Sequence, residues 1–167
     1  MTWSPRSTKD RPVINVRTVG VEEWQLWRDL RLEALQEAPY AFGSTLAEWQ
    51  GEGDTEMRWR ARLSTVRLNV VAYLNGKAAG MVSGDFANRR GMVELISMWV
   101  APFARGQGVG DSLVVTVIEW TRGQGAAKIA LDVVESNQHA LNLYRRHRFV
   151  DAGVTAALSR ATPLSVE

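Results

Sequence analysis

A glycine-rich turn at residues 105–110 is the part of this sequence best suited to binding a ligand. It reads Arg-Gly-Gln-Gly-Val-Gly, with glycine at positions 106, 108 and 110. Glycine tolerates positive φ angles and lets the backbone come close to a ligand. Free amides at the start of a following helix attract an anion through hydrogen bonds and the helix dipole. The turn is therefore suited to a diphosphate group.

Two familiar phosphate-binding motifs do not fit this turn. A P-loop ends in Gly-Lys-Ser/Thr, whereas Gly110 is followed by Asp111 and Ser112. A Rossmann fingerprint needs a third glycine where Asp111 stands, and it opens a βαβ unit near the N-terminus. On the glycines alone, a loop that binds nothing remains the alternative.

Composition excludes several other kinds of chemistry. The chain has 167 residues and no cysteine, which rules out a disulfide framework, a cysteine nucleophile and cysteine metal ligands. The two histidines, His139 and His147, are too few and too separated to predict a metal site. Of the 20 basic residues 17 are arginines, but they form no stripe and the net charge is only +2, so we expect no nucleic-acid partner.

The length and the N-terminus indicate the organisation of the chain. With 46% hydrophobic residues, positions 13–167 should form one domain, and the polar residues 1–12 a mobile tail. No apolar run approaches the roughly 18 to 20 residues that span a bilayer, and residues 1–12 lack the apolar core of a signal peptide. We therefore expect a cytoplasmic protein with no membrane partner.

The elements before the turn combine helices with an antiparallel meander. Residues 14–19 are expected to form a strand, and residues 21–36 a helix closed by Pro39. Residues 44–64 are expected to form a second helical region, which is broken near Gly51 and Gly53. Asn75-Gly76 is a strong hairpin signal between a strand from about residue 67 and a partner at 77–86. A turn at 88–91 leads to a third strand at 92–100, on which alternation would place Glu94, Ile96, Met98 and Val100 on one side.

The elements after the turn predict a helix packed on the sheet. Residues 108–124 carry apolar side chains at helical spacing, and residues 128–134 form a β-branched strand. Ser136 or Asn137 caps a helix to about residue 147, residues 149–154 are extended, and a last strand falls near 155–160. The order indicates an α+β fold with one parallel strand pair.

Two motifs in this order resemble the GNAT superfamily of N-acetyltransferases. Arg105, Gly108 and Gly110 match its Arg-x-x-Gly-x-Gly turn, and the second motif comprises Asn137, Ala140, Leu143, Tyr144 and Phe149. The family usually has glycine before that phenylalanine, whereas this chain has Arg148 there. The difference concerns only the geometry at the end of the preceding helix. The resemblance implies a mostly antiparallel sheet of six to seven strands, helices on both faces, and splayed strands at 92–100 and 128–134.

The resemblance also implies acetyl-CoA as acyl donor and roles for specific residues. Glu94 would be the catalytic base with Asp132 as its rival, and Tyr144 would protonate the leaving thiolate. Backbone groups near residues 98–100 would polarise the thioester carbonyl. The implied cofactor-binding residues are Met98, Trp99, Val100, Arg105, Gly106, Gln107, Gly108, Val109, Gly110, Asp111, Ser112, Asn137 and Tyr144.

In this family the acceptor site is formed largely by the first helices. That implies substrate contacts from Trp27, Tyr40, Phe42 and Glu48, with Trp24, Trp49 and Trp59 as further candidates. The acidic cluster of Glu48, Glu52, Asp54 and Glu56 could attract a cationic amine, or be a solvated helix face.

The resemblance implies transfer of an acetyl group to a primary amine of a small molecule. Acetylation of a protein N-terminus or lysine, or a regulatory module that binds acyl-CoA without catalysis, are the alternatives. The sequence does not identify the acceptor amine, and the resemblance leaves a homodimer open.

Overall fold

The computed structural model describes residues 11–87, 91–153 and 161–166, the last six as backbone only. A seven-stranded sheet runs through them in the order β1-β2-β3-β4-β5-β7-β6. Its strands are β1 (Ile14–Thr18), β2 (Leu68–Leu74), β3 (Lys77–Phe86), β4 (Met92–Val100), β5 (Lys128–Val134), β6 (Phe149–Asp151) and β7 (Ala161–Val166).

Five α-helices cover this sheet on both faces. They are α1 (Trp24–Glu37), α2 (Leu46–Trp49), α3 (Glu56–Thr65), α4 (Val109–Gly123) and α5 (Gln138–Arg146). On one face α1 and α3 bury Trp27 and Trp59 completely. On the other face α4 and α5 bury Leu113, Val117 and Leu141. The expected α+β architecture with helices on both faces is confirmed.

The hairpin between β2 and β3 follows from its two turn residues. Asn75 and Gly76 both have positive φ, 49° and 83°, as a two-residue turn between twisted strands requires. Leu74 accordingly pairs with Lys77, and the register runs back to Leu68 opposite Gly84.

A β-bulge in β4 corrects the predicted alternation along that strand. Met81 pairs with Trp99 and Ser83 with Ile96, so β4 carries one residue more than β3 between these pairs. Ser97 takes the left-handed conformation there, with φ 56°. Met98 and Val100 therefore pack toward α4, on the same face as Leu95. Glu94 and Ile96 lie on the opposite face, because the bulge reverses the alternation.

β4 and β5 are the one parallel pair among the described strands, and they separate after a few residues. Only Met92, Val93 and Glu94 pair with β5, opposite Lys128, Ile129 and Ala130. Beyond them β4 stays paired with β3 as far as Val100, and β5 with β7 as far as Val134. The predicted splay of these two strands is confirmed, and it leaves two unpaired strand edges facing each other.

Most element boundaries agree with the sequence prediction. The first helix begins later than predicted, at Trp24, because residues Val21–Glu23 form a 3₁₀ turn. The turn predicted at 88–91, except Gly91, and the strand predicted near 155–160 lie outside the described residues, as do positions 1–10 of the predicted tail. The last described strand is β7. In the part of the chain that is described, every helix is too short or too polar to cross a membrane.

Candidate functional site

A cleft of about 1310 Å³ opens where β4 and β5 separate. Its walls include residues 94–100 of β4 and 130–134 of β5. The start of α4 and one face of α5 close one side, and α1, α3 and residues 38–44 close the other. The 3₁₀ turn Pro39–Ala41 reaches from the end of α1 to β5. We call the side formed by α1, α3 and residues 38–44 the acceptor side, because the family resemblance implies the acceptor there.

The glycine-rich turn places unpaired backbone amides at the beginning of α4. Gly108 precedes the helix in the left-handed conformation, φ 93°, and Gly106 also has positive φ, 73°. Among the described residues, none of the amides at 106–111 finds a hydrogen-bond acceptor, and the first paired amide is that of Ser112, which donates to the Gly108 carbonyl over 3.1 Å. A diphosphate fits this set of donors, because each phosphate oxygen is an acceptor for an N–H at the positive end of a helix dipole.

Gly110 lies where α4 packs closely against α5. A Cβ atom there would come within 3.1 Å of Leu143 Cδ2. The same two helices are tied by Asp111, which accepts hydrogen bonds from His147 Nε2 at 2.8 Å and Arg146 at 3.1 Å. Burial opposes ionisation of Asp111, but these hydrogen bonds hold the pKa of its carboxyl below the ordinary value. Asp111 therefore fixes the site's geometry through its side chain.

Arg105 joins the turn to α1. Its guanidinium donates to Glu37 Oε2 at 2.7 Å, and its Nε donates to the Val100 carbonyl at 3.1 Å. The indole N–H of Trp99 donates to the same Glu37 oxygen at 2.9 Å. The hydrogen bond from Arg105, supported by that from Trp99, lowers the pKa of Glu37. The sequence analysis did not identify Glu37, which holds the end of β4 and the start of the turn together.

Three of the residues predicted to bind the cofactor direct their side chains elsewhere. Gln107 Nε2 donates to the Phe103 carbonyl at 3.0 Å, Ser112 Oγ donates to the Gly108 carbonyl at 3.1 Å, and the Val109 side chain is buried in the core. Their side chains do not line the cleft, so these positions can serve a ligand only through their amides.

Tyr144 of α5 and Asn137, which precedes α5, both line the cleft. Tyr144 is buried, its ring packs 5.5 Å from that of Phe149, and burial raises the pKa of its hydroxyl. The hydroxyl therefore stays protonated and is available as a donor. Asn137 Oδ1 accepts the Ala140 amide at 3.2 Å, so Asn137 is the N-cap of α5 as well as a lining residue.

Glu94 and Asp132 lie on the same face of the sheet at the point where the strands separate. Glu94 pairs with Ala130, and Asp132 is the next residue of β5 on that face. Both side chains are exposed and both residues line the cleft. Two carboxylates on the acceptor side of the gap can accept a proton from an incoming amine.

The acceptor side contains most of the predicted aromatic residues. Trp27, Tyr40, Phe42, Trp49 and Trp59 line the cleft, whereas Trp24 and Glu48 do not. Glu48 instead caps α2, where its carboxylate accepts the Thr45 amide at 2.9 Å. Its expected contact with substrate is not supported.

The acidic cluster is used within the fold. Asp54 accepts Arg28 Nε at 2.7 Å and Trp59 Nε1 at 2.8 Å, and Glu56 accepts Arg60 Nε at 2.7 Å. Arginines thus neutralise two of the four carboxylates, those of Asp54 and Glu56, and attraction of a cation by the cluster stays a prediction.

Two arginines on the acceptor side were missed by the sequence analysis. Arg31 lies on the buried face of α1 with Trp27, Leu30 and Ala34, and Arg62 lies between the buried Trp59 and Leu63 of α3. Both line the cleft. The sequence did contain a signal for them. Each arginine falls at the spacing of the apolar positions of its helix, and a charged residue on a buried helix face is rare without a partner.

Comparison with known proteins agrees with this geometry. A streptothricin acetyltransferase from Streptomyces lavendulae is 33% identical over 98 residues, which are 58% of this chain and 51% of that protein. An uncharacterised N-acetyltransferase from Methanocaldococcus jannaschii is 30% identical over 89 residues, 50% of this chain and 39% of that protein. The matches thus span about half or less of these relatives.

The fold is shared with solved structures. The crystal structure of PaiA N-acetyltransferase from Thermoplasma acidophilum, in complex with coenzyme A, superposes with a TM-score of 0.75 over 93% of this chain and 99% of that one, at 13% identity. The family model described as "Acetyltransferase (GNAT) family" matches residues 24–149, which include the whole cleft-forming region from α1 to the start of β6. The chain belongs to this acyltransferase family.

Proposed function

We propose that the protein is an acetyl-CoA-dependent N-acetyltransferase that acetylates a primary amine of a small molecule. The observation that carries the proposal is one continuous cleft between the separated strands β4 and β5, with unpaired amides at one end and two carboxylates on its acceptor side. Acetyl-CoA would supply the acetyl group as a thioester.

The positions of several residues on the side of the cleft formed by α4 and α5, the donor side, support specific roles. The amides at 106–111 would bind the diphosphate, and the free edges of β4 and β5 would pair with the pantetheine arm. Tyr144, kept protonated by burial, would donate its proton to the departing thiolate, whose ordinary pKa is about 8.5.

Glu94 would be the base on the acceptor side. A primary amine with an ordinary pKa near 10.4 is protonated at pH 7 and must lose a proton before it can attack. Glu94 comes first because it lies where the two strands part, and Asp132 is the alternative on the adjacent strand. Either carboxylate would accept the proton directly or through an ordered water.

A small acceptor is favoured over a protein segment by the covering of the cleft. The turn Pro39–Ala41 reaches across to β5, and residues 38–44 line that side. An extended peptide needs an open groove, whereas this arrangement narrows the entrance. A cytoplasmic location, a single domain over 13–167 and the absence of metal, nucleic-acid and membrane partners stay predictions.

The proposal is tested by binding and turnover measured separately. We expect acetyl-CoA to bind in calorimetry and an amine panel to release coenzyme A thiol. Glu94→Gln should lower kcat by roughly 10²- to 10⁴-fold, the usual effect of losing an acid-base group, with unchanged affinity for acetyl-CoA. Glu119→Gln on the exposed side of α4 is the matched control.

Each alternative outcome has a definite meaning. Full activity in Glu94→Gln with a large loss in Asp132→Asn would transfer the base to Asp132. Binding of acetyl-CoA without turnover on any small amine or peptide would favour the regulatory module. Absence of acetyl-CoA binding would refute the proposal.

A further inference from the structure

Arg31 is a buried cation on the acceptor side of the cleft, and no carboxylate of the described residues hydrogen-bonds to it. It exposes only 8% of its surface, and its Nη1 has no hydrogen-bond partner within residues 11–87 and 91–153. Its guanidinium stacks on the Phe42 ring at 4.4 Å. An unpaired buried charge is costly, so Arg31 calls for an anionic partner beyond the described residues, which a ligand in the cleft would supply.

Arg62 lies in the same wall and is held by neutral oxygens alone. Its Nη1 donates to Asn69 Oδ1 at 3.0 Å, and its Nη2 donates to the hydroxyls of Ser83 and Ser97, each at 3.2 Å. These bonds orient the guanidinium without neutralising it. Burial lowers the pKa of Arg62 to about 10, and burial together with the charge of Arg62 does the same for Arg31, so both remain cationic at pH 7.

Trp27 adds a third unused donor. Its ring is fully buried and lies under the Arg62 guanidinium at 5.5 Å, yet its indole N–H has no acceptor among the described residues. Trp27 is one helical turn before Arg31 on the same face of α1. Arg31 and Trp27 thus lack a hydrogen-bond acceptor, and Arg31 and Arg62 lack a bonded negative charge, among the residues that the structure describes. A carboxylate would supply both.

Two described carboxylates on the acceptor-side helices and the segments that follow them are bound to other partners. Glu37 is bound to Arg105 and Trp99, and Asp54 is bound to Arg28 and Trp59. Asp85 acts on Arg62 only through its charge, without a hydrogen bond in the described structure. The acceptor side therefore carries two cations, Arg31 of α1 and Arg62 of α3, and the carboxylates of Glu94 and Asp132 line the same cleft from the sheet.

We propose that the acceptor is an amino acid or a close analogue, whose carboxylate is bound by Arg31, Arg62 and Trp27 while its amino group lies toward Glu94 and Asp132. This inference rests on the proposed acetyltransferase function and specifies its substrate class. Arginine suits the task because its planar fork binds both oxygens of a carboxylate. The same two cations would repel polycationic amines.

Matched acceptors test this without altering the protein. We would compare L-amino acids with their carboxamides and with the corresponding amines lacking the carboxyl group, by thiol release with saturating acetyl-CoA. We expect kcat/KM to be roughly 10- to 100-fold higher for the carboxylates, as for hydrogen bonds to a charged group. Equal rates, or a preference for the carboxamides, the plain amines or phosphate-bearing amines, would overturn the inference.

A variant of Arg31 tests whether this residue causes the preference for a carboxylate. Arg31→Gln should raise KM for the amino acid and abolish the preference over the carboxamide. Arg60→Gln, at a half-buried arginine that is paired with Glu22 and Glu56 and does not line the cleft, should do neither. Arg31→Lys, which keeps the charge and tests the fork geometry, replaces Arg31→Gln if the latter does not fold. An unchanged preference in a folded variant would refute the assignment.

Failure of this inference is distinguishable from failure of the proposed function. Calorimetry with amino acids titrated into the protein loaded with coenzyme A measures acceptor binding without turnover. Acetyl-CoA binding with no amino-acid binding at millimolar concentration would reject the carboxylate site and leave the acetyltransferase standing. Absence of acetyl-CoA binding would reject the proposed function itself.

Discussion

Arg105 positions the glycine-rich turn through a residue far away in the chain. Its guanidinium donates to Glu37, 68 residues earlier. Contacts between distant segments depend on packing, which spacing along the chain does not encode. The turn itself could be located from its glycines, and the catalytic roles of Glu94, Asp132 and Tyr144 stay predictions.

Arg148 is the residue at which the chain departs from its family, and the structure shows the cost. It follows α5 in the left-handed conformation, φ 67°, where family members usually have glycine. A side chain there costs roughly 1–2 kcal/mol. The departure from glycine thus strains the backbone after α5, and α5 still ends at Arg146.

Replacing Arg148 with glycine should stabilise the protein. We expect Arg148→Gly to raise the free energy of unfolding by about 1 kcal/mol, because glycine adopts positive φ without strain. Urea denaturation measures this change. Arg145→Gly, within α5, should instead destabilise by about 1 kcal/mol. A loss of stability in Arg148→Gly would show that its side chain makes contacts worth more than the strain.

Elements were predicted best where their pattern is local. The hairpin around Asn75-Gly76 and the bounds of β4 and β5 were found because turn residues and β-branched runs mark them. The bulge at Ser97 was missed because no glycine or proline signals it in the apolar run of β4. That bulge decides that Glu94 and Met98 face opposite sides.

The start of α4 makes a prediction at this scale. Gly108→Ala should destabilise the protein by about 1–2 kcal/mol, because alanine is strained at φ 93°. Steric contact adds little, since a Cβ there would meet only Ile14 at an ordinary 3.5 Å. Relief of that strain would turn the amides at 106–111 away from the cleft, so affinity for acetyl-CoA should fall. Denaturation and calorimetry measure the two effects.

Gly123→Ala is the matched control at the other end of α4. A Cβ at Gly123 meets nothing within 4 Å, so this change should stabilise by about 0.5–1 kcal/mol and leave acetyl-CoA affinity unchanged. Equal affinity in Gly108→Ala and Gly123→Ala would mean that the conformation of Gly108 does not position the amides.

At the scale of the whole molecule, the sheet consists of two parts joined by a short parallel seam. The fold class could be predicted because the order of elements and two motifs agreed. The enclosure of the acceptor side could not, because the turn Pro39–Ala41 reaches β5 only through tertiary packing.

Hydrogen exchange should show where acetyl-CoA binds between β4 and β5. Acetyl-CoA should protect amides on the facing edges of β4 and β5 and those at 106–111, while the paired amides of β1 and β2 change little in local exchange. ADP, which has a diphosphate and no pantetheine arm, should protect only residues 106–111. Protection of the strand edges by ADP would contradict binding of the arm between the strands.

The proposed carboxylate site has a consequence for evolution. Burial of Arg31 and its repulsion by Arg62 both destabilise the protein while no acceptor is bound. Selection for heat resistance alone would replace Arg31 by an apolar residue, and selection for catalysis would restore it. A lineage that had lost its acceptor would therefore be recognisable by the disappearance of this charge before any change in the glycine-rich turn.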